Sequence, residues 1–253
     1  MPDFRAFWSP DSADPSEIIL TQDESHHLVS VNRAQAGATV TVFDGRGTEW
    51  ISELKEADRR RARLRVRFTQ KAKPLPYVMT LGQALPKGDG MDAIVRKATE
   101  LGAFRIVPLE SERTQMHLAE DRSERKAGKW RMASIEAAKQ CGNPWLPEIA
   151  PVQTAAGFME SARGYDLKLI ASLRPGAQPL RSALGAFRSS GDVKAGPLSV
   201  VWLVGPEGDF TPAEMSLAQS CGFVGITLGP LVLRCETAAV YALSVLSYEL
   251  AVS

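Results

Sequence analysis

The N-terminal part of the chain shows the period-two alternation of apolar and polar side chains that is typical of β-strands. Segments 38–43 and 49–54 alternate in this way around a glycine-containing turn at 44–47, which is a hairpin pattern. A third strand is predicted at 61–68, where apolar residues alternate with Arg61, Arg63, Arg65 and Arg67. Residues 1–72 are therefore predicted to form a small β-barrel or curled sheet with one arginine-rich face.

Beyond a lysine- and proline-rich linker at 71–76, strands and helices alternate along the chain. Strands are predicted at 77–84, 104–109, 165–172, 198–204 and 223–228. Helices are predicted at 89–102, at 121–141, from Thr211 onward and over the apolar C-terminal segment to about residue 252. Thr211 and Glu214 form a capping-box pattern around Pro212. This alternation predicts a second, α/β domain at 77–253, with a parallel sheet covered on both faces.

The charge balance restricts the kinds of partner. The 253 residues contain 30 basic and 29 acidic side chains, which argues against a general nucleic-acid coat protein. Residues 59–88, however, hold nine basic side chains and no acidic one. This local excess favours a phosphate-facing surface, which Lys87 and Arg113 would extend onto the second domain. The alternative is that the alternating arginines only protect a sheet edge from further pairing.

Cysteine, histidine and hydropathy patterns exclude several other classes. Three sparse cysteines argue against a disulfide scaffold, and His26, His27 and His117 show no zinc-ligand spacing. No apolar run reaches the roughly 18 residues that a membrane span requires, and residues 1–14 lack a signal-peptide pattern. We expect a cytoplasmic protein without a metal or a membrane anchor.

Two segments of the second domain each combine an apolar strand, a Gly-Pro pair and the start of a helix, at 203–211 and 227–239. Ligands of open α/β sheets bind at the carboxyl ends of strands, so both segments are well placed for a site. The spacing matches neither a dinucleotide-binding loop nor a Walker A loop. The pattern favours a nucleoside without phosphates, of which S-adenosylmethionine is the commonest. A plain strand-to-helix turn is the alternative for the first segment, and a structural Arg234–Glu236 contact is the alternative for the second.

The sequence GPEGDF at 205–210, followed by LGPLVLRCETAA at 228–239, closely resembles the RsmE family of 16S ribosomal RNA uracil-N3 methyltransferases, in the SPOUT superfamily. Segments 26–47, 84–113 and 136–149 are also similar to this family. The resemblance implies an α/β fold in which a PUA-like β-barrel that binds RNA precedes a trefoil-knotted SPOUT methyltransferase domain. It further implies S-adenosylmethionine as the cofactor, 16S ribosomal RNA or the 30S subunit as the partner, and a homodimer.

The expected site residues follow from the two loops and the resemblance together. The expected donor contacts are Leu203, Gly205, Pro206, Glu207, Gly208, Leu228, Gly229, Leu231, Leu233, Thr237 and Ala238. The expected RNA contacts are Arg33, Arg61, Arg63, Arg65, Arg67, Lys87 and Arg113. The expected catalytic residues are Arg234, Glu207 and Glu236.

The roles of the three catalytic candidates stay open at this point. Uracil N3 must lose a proton before it attacks a methyl group, so Glu207 and Glu236 are candidate bases or orienting groups. Arg234 is suited to hold an anionic uracil oxygen or the donor's carboxylate. A knotted methyltransferase for the ribose 2′-hydroxyl and a non-catalytic RNA-binding module are the competing interpretations of the whole chain.

The chain departs from the family pattern at several positions. Asp209 stands where the family usually has a glycine, and Cys235 stands where it usually has a threonine. Asn32 replaces an apolar residue, and Asn143 and Pro144 lie where an arginine is usual. The change at Asn143 puts one RNA contact in question rather than the chemistry.

Overall fold

The computed structural model describes residues 4–10, 15–115, 120–189 and 197–251, without the side chains of residues 120–122. His117 of the sequence analysis lies outside these residues. The chain divides into two compact units, Met1–Pro74 with Ile135–Leu146 and Leu75–Ser134 with Pro147–Ser253. The predicted division into 1–72 and 77–253 did not anticipate that residues 135–146 belong with the first unit. The trefoil knot stays a prediction.

The first unit contains, within its described residues, a five-stranded mixed sheet. The strands are β1 (Phe4–Phe7), β2 (Glu17–Ile19), β3 (Thr39–Phe43), β4 (Thr48–Glu56) and β5 (Arg63–Lys71), and their order across the sheet is β1-β3-β4-β5-β2. The short helix α1 of this unit spans Gln22–His26. Strands β3 and β4 form the predicted hairpin. Its turn is fixed by Asp44, whose Oδ1 accepts hydrogen bonds from the backbone N–H groups of Arg46 and Thr48 at 2.7 and 3.0 Å.

The arginine-bearing strand β5 does not lie at the edge of this sheet over its first residues. Arg63 and Arg65 pair with β4 on one side and with β2 on the other. Protection of a free edge therefore does not explain these two arginines. The predicted apolar face holds at Leu64, which is fully buried, but ends at Phe68, which is 55% exposed.

The segment 135–146 joins the first unit through a buried ion pair. Lys139 Nζ lies 2.8 Å from Glu24 Oε1, and both side chains are less than one-tenth exposed. The second oxygen of Glu24 accepts a hydrogen bond from the backbone N–H of Phe7 at 3.0 Å. Because a buried charge is unfavourable unless it is paired and hydrogen-bonded, these contacts hold the segment in place.

The second unit contains a parallel sheet. Its strands are β6 (Tyr77–Ala84), β7 (Arg105–Glu110), β8 (Glu148–Ile149), β9 (Gln153–Thr154), β10 (Leu167–Ala171), β11 (Gln178–Pro179), β12 (Leu198–Val204) and β13 (Val224–Thr227). Their order across the sheet is β11-β13-β10-β12-β6-β7-β8, and β9 pairs with β7. All strand pairs of this sheet within the described ranges are parallel. The helices are α2 (Gly90–Glu100), α4 (Ala155–Ser161), α5 (Leu180–Ser189), α6 (Pro212–Ser220) and α7 (Cys235–Ala251). Helix α3 (Glu120–Cys141) begins in this unit and ends in the first.

Apolar side chains form a separate core on each face of this sheet, as the predicted two-sided covering requires. Leu81 and Trp202 belong to the core that includes α2 and α7. Leu203 and Phe158 belong to the core that includes α4 and α6. The predicted capping box of α6 is present, with both reciprocal bonds between Thr211 and Glu214. No helix among the described residues is long and apolar enough to cross a membrane.

The strand order decides which loops meet at the carboxyl edge of the sheet. Strands β12 and β13 are not adjacent, because β10 pairs with both of them. The loops that follow β12 and β13 are therefore separated by one strand. The two loops meet across the end of β10, so the residues that follow β10 lie between them at the carboxyl edge of the sheet.

Candidate functional site

A cavity of about 290 Å³ lies at the carboxyl ends of β10, β12 and β13. Its walls come from the three loops that follow these strands and from the start of α7. The expected donor contacts that line it are Gly205, Pro206, Glu207, Leu228, Gly229, Leu231, Leu233 and Ala238. The lining also includes Ala171, Ser172, Leu173, Val204, Asp209, Ile226, Thr227, Val232, Arg234 and Cys235. Aliphatic side chains and the backbone of tight loops thus form most of the surface.

Three of the expected donor contacts, Leu203, Gly208 and Thr237, do not line this cavity. Leu203 is fully buried and points to the opposite face of the sheet. A Cβ on Gly82 of β6 would lie only 2.3 Å from Leu203 Cδ2, so the glycine makes room for this side chain. The alternation of side chains along β12 directs Val204 to the cavity instead.

The loop at 205–211, which we call the first loop, is a tight turn. The backbone N–H of Asp209 donates to the carbonyl of Pro206 at 2.9 Å. A Cβ on Gly205 would meet the Phe210 nitrogen at 3.2 Å, which is closer than ordinary packing. Asp209 has a φ of +59° and uses its Oδ1 to accept the Phe210 N–H at 2.8 Å. Aspartate thereby occupies a left-handed position that the resemblance predicts for glycine.

The first loop is hydrogen-bonded to the loops that follow β6 and β7. Glu207 Oε1 accepts the backbone N–H of Lys87 at 2.9 Å. Arg113 Nη1 donates to the carbonyl oxygen of Gly208 at 2.7 Å. Glu214 is buried and accepts the backbone N–H of Glu112 at 3.0 Å while it caps α6. Neighbouring strands of the sheet therefore fix the position of this loop.

Arg113 and Lys87 therefore have a structural role in holding the first loop, which the sequence did not predict. Both were expected to contact RNA, but the Arg113 side chain holds the first loop and Lys87 contributes its backbone N–H to Glu207. Their side chains are exposed, so a contact with RNA stays a prediction. The sequence signal for the Arg113 contact is weak, because the bond joins residues that are 95 positions apart.

The loop at 228–234, which we call the second loop, exposes apolar side chains at the mouth of the cavity. Leu231 is 74% exposed and Val232 is 77% exposed. Gly229 has a φ of +128°, a conformation that side chains rarely allow, and a Cβ there would project into open space. Apolar side chains so exposed beside a cavity are suited to contact a ligand or another protein surface.

The catalytic candidates gather around Cys235 at the start of α7. Arg234 is exposed at the wall of the cavity, and the structure shows no Arg234–Glu236 ion pair among the described residues. Glu236 Oε2 accepts a hydrogen bond from Cys235 Sγ at 3.5 Å. A Cβ on Gly90 would lie 2.7 Å from Glu236 Oε1, so this carboxylate packs against the first residue of α2.

Burial, together with the nearby carboxylates of Glu236 and Glu207, raises the pKa of the Cys235 thiol to about 12. A thiol with this pKa stays protonated at neutral pH and is a poor nucleophile. It instead serves as a hydrogen-bond donor to Glu236. Both glutamates lie close enough to this thiol to raise its pKa, so Glu207 and Glu236 are both near Cys235.

The arginines expected to contact RNA differ in their surroundings within the first unit. Arg63 Nε lies 3.4 Å from Glu56 Oε2, and Arg67 pairs with Glu53. Glu53 also binds Lys55, and these contacts lower the pKa of its carboxyl group. The acidic partners come from β4, so the basic excess counted along the sequence is partly neutralised across the sheet.

Arg33, Arg61 and Arg65 keep their charges without an ion pair to another described residue. Arg33 lies two residues after a turn of π-helix at His27–Val31 and has a φ of +57°. Arg61 donates its backbone N–H to Asp58 Oδ1 at 2.8 Å. Arg65 is exposed on β5. A role of these three in RNA binding stays a prediction.

Comparison with known protein families covers both units. Residues 73–247 match the model of an RNA methyltransferase domain. Residues 20–67 match the model of an RNA methyltransferase PUA domain. These two matches correspond to the two kinds of domain that the sequence resemblance predicts, in the same order.

Individual relatives extend over nearly the whole chain. Ribosomal RNA small subunit methyltransferase E of Synechocystis sp. is 33% identical over 95% of this chain and 76% of its own length. The protein of the same name from Bacillus subtilis is 31% identical over 91% of this chain and 89% of its own length.

Solved structures show the same arrangement of elements. A chain from Legionella pneumophila, described as a methyltransferase in complex with S-adenosylmethionine, has a TM-score of 0.84 at 30% identity and covers 97% of both chains. Ribosomal RNA small subunit methyltransferase E from Neisseria gonorrhoeae, bound to S-adenosylmethionine, has a TM-score of 0.82 at 26% identity and covers 96% of both chains.

Proposed function

Because this chain belongs to the family of ribosomal RNA small subunit methyltransferase E, we propose that it methylates N3 of a uracil in 16S ribosomal RNA, with S-adenosylmethionine as the methyl donor. The observation that carries the proposal is the cavity at the ends of β10, β12 and β13. Its two tight loops, one arginine and one glutamate suit a nucleoside ligand next to a polar reaction partner. The proposed location is the cytoplasm, because the bacteria that contain the named relatives assemble their ribosomes there.

The residues of the cavity fit S-adenosylmethionine. The aliphatic walls from Val204, Ile226 and Leu228 offer an apolar surface to an adenine ring. The loops expose backbone N–H and carbonyl groups that suit its polar edge. Glu207 provides a negative charge at the wall, which favours a cationic ligand. When bound, the donor supplies a methyl group on a positively charged sulfur, which needs no metal ion.

The chain's own residues must dispose of the uracil N3 proton and stabilise the resulting anion. Glu207 is the better placed candidate for contact with the base. One of its carboxylate oxygens is held by the Lys87 N–H, and the other has no partner among the described residues. Glu236 is engaged with Cys235 and packs against Gly90, so we assign it an orienting role at the start of α7.

Arg234 is exposed at the cavity wall and is able to donate two parallel hydrogen bonds. An anionic uracil oxygen and the donor's carboxylate are both suitable acceptors. A permanently charged guanidinium favours the anionic form of uracil, so it reduces the demand on any base. Placement of N3 in line with the methyl group supplies the remaining rate enhancement.

The proposal includes a homodimer. Helix α7 buries Ala239, Leu243 and Leu246 within the second unit, but Tyr248 on the same helix is 72% exposed. Tyr248 also lines a cavity of about 860 Å³ with residues of α5 and the second loop. Exposed aromatic side chains beside a large cavity favour contact with a second copy of this chain.

Mapping of methylated nucleosides tests the proposed reaction. Stripped 16S ribosomal RNA, 30S subunits and transfer RNA would each be incubated with the full-length protein and labelled S-adenosylmethionine, then digested and analysed by mass spectrometry. We expect 3-methyluridine from 16S RNA or 30S subunits. Label on a ribose 2′-oxygen would support the ribose methyltransferase instead. Absence of both donor binding and label would support a non-catalytic RNA-binding module.

A further inference from the structure

The first unit has a cleft of about 590 Å³ that the proposed reaction does not use. Two segments of the chain form it: the helical region at 22–31 and the turn between β4 and β5. We call it the hairpin cleft, and its lining residues are Gln22, Asp23, His26, His27, Ser30, Val31, Arg59 and Arg60. Two guanidinium groups and two imidazoles thus face one another, with a single carboxylate among them.

The turn that carries Arg59 and Arg60 is held by Asp58. Asp58 Oδ1 accepts the backbone N–H groups of Arg60 and Arg61 at 2.7 and 2.8 Å. These two hydrogen bonds, and to a lesser extent the charge of Arg60, lower the pKa of the Asp58 carboxyl group. The carboxylate is therefore directed at the backbone, and neither Arg59 nor Arg60 forms an ion pair with another described residue. Their exposed guanidinium groups remain available to a ligand.

The opposite wall of the hairpin cleft is the turn of π-helix at His27–Val31. In it the backbone N–H of Asn32 donates to the carbonyl of His27, five residues earlier, at 2.9 Å. Such turns are frequent at functional sites. The Ser30 hydroxyl oxygen is buried and has no hydrogen-bond partner among the described residues. Val31 adds an apolar surface that is 58% exposed.

The arginines of the hairpin cleft differ in their ion pairs from arginines of β5, the strand that follows them in the sequence. Arg63 and Arg67 have acidic partners on β4, whereas Arg59 and Arg60 have none among the described residues. A guanidinium that already pairs with a carboxylate must give up that partner before it binds a phosphate. Unpaired guanidinium groups carry no such penalty. Of the three arginines on β5, only Arg65 is without an ion pair among the described residues, whereas the turn holds two unpaired arginines side by side, so the turn offers the denser cluster of phosphate-binding groups.

We propose that the hairpin cleft binds the phosphodiester backbone of the substrate RNA, with Arg59 and Arg60 as the principal contacts and His26 as an additional hydrogen-bond donor. The ligand class follows from the guanidinium pair, whose planar donor groups match phosphate oxygens. The choice of RNA rests on the proposed function. The cleft positions the RNA without base-specific contacts, because phosphates carry no sequence information.

Filter binding of the full-length protein to stripped, unmodified 16S ribosomal RNA over a series of KCl concentrations tests this proposal. The variant is Arg59→Ala with Arg60→Ala. The matched control is Lys97→Ala with Arg163→Ala, which removes the same charge from exposed positions of the second unit. Loss of two phosphate contacts should reduce the slope of log Kobs against log [KCl] by about 1.4 to 1.8, since each contact contributes roughly 0.7 to 0.9. The control should keep the slope of the unaltered protein.

Two further measurements separate a binding role from damage to the fold. Arg59→Lys with Arg60→Lys should restore most of the slope, and donor affinity should be unchanged in every variant. The imidazole NMR signals of His26 and His27 should shift on addition of the RNA, and this shift should be lost in the double alanine variant. A slope equal to that of the control would overturn the proposal.

The outcomes also distinguish this proposal from the proposed function. If the unaltered protein methylates 16S RNA while the double alanine variant binds that RNA normally, only the hairpin cleft assignment fails. If the variant binds stripped RNA normally but assembled 30S subunits poorly, the cleft recognises a protein surface and the phosphate assignment is wrong. If the unaltered protein transfers no methyl group to any RNA, the proposed function fails whatever the cleft binds.

Discussion

The carboxylate of Glu207 accepts a hydrogen bond from the backbone N–H of Lys87 at 2.9 Å, although the two residues are 120 positions apart in the sequence. This contact joins the first loop, after β12, to the loop after β6. It engages one oxygen of Glu207 and leaves the other without a partner among the described residues. The same side chain therefore combines a structural contact with a candidate catalytic one.

Two substitutions of Glu207 separate these roles. Glu207→Gln keeps an oxygen that accepts the Lys87 N–H but loses the negative charge. If the charge acts on uracil N3, single-turnover methylation should fall by about 100-fold or more, while donor affinity measured by calorimetry stays the same. Glu207→Ala should weaken donor affinity as well, because the first loop loses its contact. Full activity of the glutamine variant would reduce Glu207 to a loop anchor.

Arg234→Ala should abolish most methyl transfer while the fold is kept. The side chain is exposed, so its removal leaves no buried cavity. A contact that matters in the transition state contributes roughly 2–4 kcal/mol, which corresponds to about 30- to 1000-fold in rate. Initial rates and circular dichroism would be compared with those of Arg163→Ala, which removes a distant exposed arginine. A decrease of less than about threefold, equivalent to roughly 0.6 kcal/mol, would indicate a structural role.

Arg113→Met should weaken donor binding without altering the reactive groups. The substitution removes the 2.7 Å hydrogen bond to the Gly208 carbonyl, so the first loop becomes more mobile. An exposed hydrogen bond of this kind contributes about 1 kcal/mol, which predicts roughly a fivefold increase in the donor Kd. Isothermal titration calorimetry with S-adenosylmethionine measures this Kd, and Arg163→Met is the control. An unchanged donor Kd together with weaker RNA binding would return Arg113 to the RNA contact expected from the sequence.

Asp209 permits a test of backbone conformation in the first loop. Its φ of +59° disfavours β-branched residues, and its Oδ1 holds the Phe210 N–H. Asp209→Gly should be nearly neutral for stability, because relief of the left-handed conformation offsets the lost hydrogen bond. Asp209→Val should lower the free energy of unfolding by about 2 kcal/mol, since valine is strained in the left-handed conformation and cannot accept the hydrogen bond from the Phe210 N–H. Urea denaturation checks both values, and equal stability of the two variants would contradict this explanation.

The pKa of Cys235, about 12, predicts a thiol that resists alkylation. At pH 8.5, iodoacetamide should modify the exposed Cys141 much faster than Cys235, as read by peptide mass spectrometry. Above pH 9 the thiol ionises in the unfolded chain but not in the folded one. The unfolded state then binds fewer protons, so this group lowers stability progressively between pH 9 and 12. Rapid modification of Cys235 in the folded protein would show that its surroundings are less buried than described.

Local patterns in the sequence were sufficient to predict most of the secondary structure. The β3–β4 hairpin, the strand Tyr77–Ala84 and the capping box of α6 follow from alternation, turn residues and caps within a few positions of one another. Such signals are local, and the structure confirms them. They also indicated two loops that line the candidate site, because a Gly-Pro pair after an apolar strand marks the carboxyl edge of a parallel sheet.

Contacts between distant parts of the chain could not be predicted in this way. Periodicity tells which face of a strand is apolar, but it does not tell which strands are neighbours. The pairing of β10 with both β12 and β13 brings Ala171, Ser172 and Leu173 into the cavity, and no motif marks these three residues. The same limit hid the Arg113 bond to Gly208.

The sequence by itself determined many of the longer elements of this protein, the two loops that line the candidate site and the chemistry that Glu207 and Arg234 offer. Only the tertiary structure decided which arginines of the first unit remain without an ion pair among the described residues. Glutamates of β4 neutralise Arg63 and Arg67, while Asp58 directs its carboxylate to the backbone and leaves Arg59 unpaired. Charge compensation depends on distances of a few ångströms across strands, because Coulomb attraction and hydrogen bonding fall off with separation in space and not along the chain.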